Sequence, residues 1–121
     1  MKVTHVIGVK EVQARLKAAG VLTDQEIARG LKRAGLYLQR LSQKVVPVDT
    51  GALKNSAGTR MVGRGKYAAA AVFYTQSYAV YVHERTDLRH KAGKQAKFLE
   101  GPAKEHREDI LRIIAGGTAQ E

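Results

Sequence analysis

A chain of 121 residues, 44% of them hydrophobic, is expected to form one domain, residues 1–121, whose small core gains from packing on neighbours. It has no cysteine or tryptophan, which excludes disulfides and cysteine zinc sites, and no apolar run or leading basic-apolar segment that would make it a membrane or signal-peptide protein. Lys and Arg number 21 against 11 acidic residues, a formal charge of +10, so the surface should attract DNA, RNA, anionic lipid or an acidic protein, more weakly as salt rises.

The first predicted element is a short amphipathic helix over Val9 to Ala19, with Val9, Val12, Leu16 and Ala19 on one side and Gly20 as its stop. Residues 1–20 thus read as an N-terminal arm and short helix. Thr23-Asp24-Gln25-Glu26 has the form of a capping box. Behind it Ile27, Leu31, Ala34, Leu38, Leu41 and Val45 recur at helical spacing, which predicts a helix of about 22 residues, roughly 33 Å long. Arg29, Lys32, Arg33, Arg40 and Lys44 give it a basic outer side, and Pro47 stops it by holding Val46 extended.

Val46 to Arg60 reads as a turn through Pro47, Asp49, Thr50 and Gly51, followed by one helical turn or an extended crossover. Three β-rich runs follow, Thr59 to Val62, Tyr67 to Thr75 and Tyr78 to Glu84, separated by Gly63-Arg64-Gly65-Lys66 and Gln76-Ser77. This spacing predicts an antiparallel meander. The alanines at 69, 70 and 71 suggest a face on which the long helix lies closely. Arg85 to Lys97 is a basic loop; Phe98 and Leu99 re-enter the core; Pro102 is expected to open a last helix through Ile110, Ile113 and Ile114, ended by Gly116-Gly117. Residues 116–121 should fray as a flexible tail. The expected class is α+β: a long amphipathic helix on a three- to four-stranded antiparallel sheet, with a short N-terminal and a C-terminal helix.

Chemistry is thinly represented. His5, His83, His90 and His106 fall in four segments without metal-ligand spacing, and His83-Glu84 near His90 reads as a solvated strand end. Asp24 and Glu26 are explained by capping, Glu105, Glu108 and Asp109 by the polar side of the last helix, and Asp49 by its turn. Ser42, Ser56 and Ser77 have no paired base. The Gly63 to Lys66 segment lacks phosphate-loop spacing and precedes a strand, so it is a hairpin tip. Arg60, Arg64 and Lys66 at this tip, with Arg85, Arg89, His90, Lys91 and Lys94 in the basic loop, are the candidate contacts to a partner or to DNA. Tyr67, Tyr74, Tyr78 and Tyr81, placed in the sheet, could stack single-stranded nucleic acid but fit core and interface positions better.

Three blocks carry a resemblance: Val46-Pro47-Val48-Asp49-Thr50-Gly51-Ala52-Leu53-Lys54-Asn55-Ser56 after the long helix, Tyr78-Ala79-Val80-Tyr81-Val82-His83-Glu84, and Gly93 through Phe98, Leu99 and Pro102 to Ala103. In this order and spacing they resemble the neck, tail-completion or minor capsid proteins of siphophages, over about residues 23–115. The resemblance implies a structural protein of the head-tail connector, with no catalytic residue and no cofactor or metal. It implies a ring, a hexamer when assembled, in contact with other connector and tail proteins and with the packaged DNA in the channel. The location implied is the virion's head-tail junction, after the host cytoplasm, and not a membrane. The loop from Arg85 to Lys97 departs from many relatives in being strongly basic. The alternative reading is a small basic nucleic-acid-binding module; basic residues spread over helices and loops instead of one stripe favour the structural subunit.

Overall fold

A computed structural model describes residues 3–8, 24–46, 51–64, 68–76, 79 and 97–116. The element order is β1 (Val3–Gly8), α1 (Asp24–Val45), α2 (Ala52–Asn55), β2 (Ala57–Val62), β3 (Ala69–Tyr74), α3 (Glu100–Glu105) and α4 (Arg107–Ile114). The class is α+β, with a long helix, a three-stranded antiparallel sheet and C-terminal helices.

Helix α1 is 22 residues long, as the periodicity required, and Leu31, Ala34 and Leu38 along its stripe are fully buried. It ends at Val45 because the residue before Pro47 is driven out of helical geometry. The amide of Val46 still donates to the Ser42 carbonyl at 2.9 Å. Thr23, of the capping box, lies outside the described residues.

The sheet order corrects the expected meander. Strand β3 is central, but its partners are β2 and β1, in the order β1-β3-β2. Val3 stands opposite Tyr74 and Gly8 opposite Ala69; on the other side Ala57 stands opposite Tyr74 and Val62 opposite Ala69. Part of the N-terminal arm is therefore a strand. Val3, Thr4, Val6 and Ile7 are β-branched residues that fit a pleated surface, and Gly8 closes the run. The run is too short to declare itself by periodicity, and the apolar spacing that begins at Val9 draws attention past it. The Val9 to Ala19 helix lies outside the described residues. So does the expected strand from Tyr78 to Glu84, except Ala79, which is buried and whose amide donates to the Gln76 carbonyl at 3.0 Å. At Ala79 itself the backbone is helical, not extended.

Alternation along β3 sets the two faces of the sheet. Ala70, Val72 and Tyr74 face α1 and are completely buried, together with Ile7 from β1. The approach is close: a Cβ on Gly35 of α1 would lie 2.7 Å from Thr59 Cγ2 and 3.1 Å from Ala70 Cβ. Small residues on both sides bring the helix down onto the strands, as the alanine run suggested. The opposite face carries Thr4, Val6, Gly58, Arg60, Ala71 and Phe73, by register with Ala71 and Phe73.

The crossover locks this pair of layers. Gly51 takes a left-handed conformation, φ 82°, and its carbonyl accepts the Asn55 amide at 2.9 Å, forming the single turn of α2. Leu53 and Val46 enter the core. Gln43 Nε2 donates to the Lys54 carbonyl at 3.0 Å, and Ser56 Oγ donates to the Leu53 carbonyl at 2.8 Å while accepting from the Thr75 amide at 3.2 Å. Pro47, Asp49 and Thr50 lie outside the described residues.

The last helix also differs from its predicted form. It begins at Glu100, not Pro102, and is interrupted at His106, giving α3 and α4. Pro102 is tolerated because it still lies in the first turn, where an amide has no intrahelical acceptor. Phe98 and Leu99 do re-enter the core, and the Phe98 ring meets Tyr74 edge-on at 4.9 Å. Gly116, φ 96°, closes α4 and donates to the Ile113 carbonyl at 3.0 Å.

Candidate interaction surface

With one face of α1 committed to the sheet and to α4, the other side is left to solvent. Exposed positions recur at Arg29, Lys32, Arg33, Leu36, Arg40 and Lys44. At 1.5 Å per residue the first and last lie about 22 Å apart along the axis. No acidic residue occurs from Ile27 to Val48, so every charged side chain of the face from Arg29 to Lys44 is basic. Its N-terminal end carries Glu26, which lines an open cleft of ≈ 270 Å³ with Arg29, Arg33, Ile114, Ala115 and Gly116. Arg33 reaches over the end of α4 and donates to the Ile113 carbonyl at 3.4 Å. A cation at a helix C-terminus is favourably placed against the last carbonyls.

One polar cluster borders this face. Tyr37 Oη donates to Asp109 Oδ2 at 3.3 Å and lies 3.4 Å from His106 Nδ1. The other Asp109 oxygen accepts from Arg112 at 2.7 Å. These contacts tie α1 to the break between α3 and α4 and use the carboxylate structurally. Glu100 is bracketed by Lys104 at 3.0 Å and Lys97 at 3.6 Å; the Lys104 hydrogen bond, then its charge and that of Lys97, hold its carboxyl below the ordinary value. Ser42 is buried with its hydroxyl 2.7 Å from Tyr74 Oη, and burial pushes the Tyr74 phenol up to about 12. Among the described residues no group of three or more His, Asp or Glu could hold a metal ion. Nor is any helix among them long and apolar enough to cross a membrane.

The sequence-predicted contacts are only partly brought together. Arg60 is exposed on the face of β2 that points away from α1, and Arg64 is exposed just past β2, after Gly63 with φ 71°. Arg60 therefore lies across the sheet from the α1 cations. Lys66, Arg85, Arg89, His90, Lys91 and Lys94 lie outside the described residues, as do Tyr67, Tyr78 and Tyr81. Tyr74 cannot stack a base, since it is fully buried. The basic outer side expected of α1 is present, with Arg29, Lys32, Arg33, Arg40 and Lys44 all exposed. Leu36, 49% exposed in its middle, escaped the sequence reading because it belongs to no apolar stripe. Its one signal was that it stood alone among cations three and four residues away.

The sequence matches a family described as "Bacteriophage HK97-gp10, putative tail-component" over residues 10–83. The match takes in α1, the crossover, β2, β3 and the Tyr78 to His83 block; β1, α3, α4 and the block from Gly93 to Ala103 lie outside it. No curated protein and no solved structure matches the chain. A match over more than half of the chain, across the helix, crossover and strands that build its α/β layers, makes it a member of this family of phage tail components.

Proposed function

We propose that the chain is a neck or tail-completion subunit of the head-tail connector, a virion structural protein without catalytic activity. It is made in the host cytoplasm and assembles as a homo-oligomeric ring, a hexamer, that contacts other connector and tail proteins. The observation that carries this reading is membership in the tail-component family through the helix, crossover and strands. The crossover braces α1 on the sheet and leaves cations on two sides, a row along α1 and Arg60 on the opposite face of the sheet. A small domain with polar surfaces of this kind gains order and area from neighbours. In this reading Arg60, Arg64 and Lys66, with Arg85, Arg89, His90, Lys91 and Lys94, touch adjacent neck proteins or the DNA in the channel.

The test is electron microscopy of particles from a phage or prophage carrying an early stop codon in this gene, with the wild-type gene supplied in trans as control. Filled heads apart from tails, or heads that have lost their DNA, are the expected result. Normal infectious virions would overturn the proposal and direct attention to DNA binding by the isolated protein.

A further inference from the structure

We infer that the solvent face of α1, centred on Leu36, is a docking surface for an acidic amphipathic segment of a different protein, which sets an apolar side chain on Leu36 between flanking carboxylates. The inference rests on the reading of the chain as a structural subunit with protein neighbours, and it names the face and the chemistry of the neighbour. Cations three and four residues apart on a helix repel one another unless acids intervene. Here none intervenes in the sequence from Ile27 to Val48, and among the described residues Arg29, Lys32 and Arg40 make no ion pair. The charge is thus available to an outside partner.

Leu36 decides what kind of partner. A half-exposed leucine ringed by Lys32, Arg33 and Arg40 has the layout of a protein interface, an apolar centre inside a polar rim. A phosphate backbone would use the cations but offers the leucine nothing. The cleft between Arg29, Arg33 and the end of α4 already carries Glu26, so the partner's carboxylates are directed to Lys32, Arg33 and Arg40 around Leu36. A second copy of this chain is poorly matched through its C-terminal helices. There Glu100, Glu105, Glu108 and Asp109 are balanced by Lys97, Lys104, Arg107 and Arg112, and Glu100 and Asp109 are already engaged by Lys and Arg neighbours.

The experiment uses the full chain and a labelled acidic helical peptide that carries leucines in one stripe flanked by glutamates, read by fluorescence anisotropy at about 150 mM salt. A scrambled peptide of equal charge and a short double-stranded DNA are run beside it. The striped peptide is expected to bind at least about tenfold more tightly than the scrambled one. Leu36→Ser should weaken it about tenfold, and Arg29→Glu with Arg40→Glu should abolish it. Thermal unfolding checks that each variant remains folded. No binding of the striped peptide, equal binding of the scrambled one, indifference to Leu36→Ser, or tighter α1-dependent binding of the DNA would each overturn the inference. So would self-association of the wild-type chain that Leu36→Ser removes. A phage whose gene carries Leu36→Ser and Arg40→Glu separates the two proposals. Normal particles from it would sink the docking face while leaving the stop-codon result intact.

Discussion

Gly30 is the position at which a single methyl group tests how the helices pack. It sits inside α1, where glycine costs about 1 kcal/mol relative to alanine, so Gly30→Ala viewed locally should stabilise. The tertiary structure reverses the sign. A Cβ at Gly30 would overlap the carbonyl oxygen of Ile114 and lie 2.8 Å and 2.9 Å from its carbonyl carbon and Cα. These are backbone atoms, and α4 cannot shift without disturbing Ile110, Leu111, Ile113 and Ile114, all buried. Overpacking of this kind costs about 1 to 3 kcal/mol, and the fixed backbone puts Gly30 at the upper end. After the helix-propensity gain of about 1 kcal/mol, a net loss of about 2 kcal/mol remains. For a chain of this size that lowers Tm by about 8 °C. Thermal unfolding followed by far-ultraviolet circular dichroism measures it directly. A Tm that is unchanged or raised would refute the close docking of α4 on α1.

Other consequences follow from buried polar groups and backbone geometry. Tyr74→Phe leaves the buried Ser42 hydroxyl without its 2.7 Å partner and should cost about 1 to 2 kcal/mol in denaturant unfolding, with part recovered when Ser42→Ala is added. Because the Tyr74 phenol is raised from 10.0 to about 12, the folded state holds its proton more tightly than the unfolded chain does. Its contribution is complete below pH 10 and is lost as pH rises from 10 to about 12. In a titration of tyrosinate absorbance Tyr74→Phe should remove a step near pH 12. Gly51→Ala should cost about 1 kcal/mol. The penalty is conformational, since φ is 82° and the nearest atom to an added Cβ is Asn55 Nδ2 at 3.7 Å. Gly51→Asn should therefore lose less than Gly51→Ala, because asparagine tolerates the left-handed region.

Local pattern determined α1 almost to the residue and β2 and β3 to within two residues at their ends, because helical spacing from Ile27 to Val45, the restriction before Pro47, and β-rich runs beside Gly63 are properties of neighbouring residues. The helical turn after Gly51, offered beside an extended crossover, the return of Phe98 and Leu99 to the core, and the resemblance to phage neck and tail proteins were legible for the same reason. The pairing of β2 with β3 was legible too, but which strand lies on the other edge of β3 was not, since antiparallel pairing joins residues as far apart as Val3 and Tyr74 and any alternating run satisfies it locally. The interruption at His106 lies where Tyr37 of α1 meets His106 and Asp109, a contact between residues about 70 positions apart. The close approach at Gly30 and Gly35 likewise needed the packed layers, because in the sequence these glycines look only like weak helix formers. The functional surface divides in the same way: composition and helical spacing established the excess of positive charge and the basic outer side of α1, but only packing, by burying the other side against the sheet and α4, left Leu36 exposed among those cations.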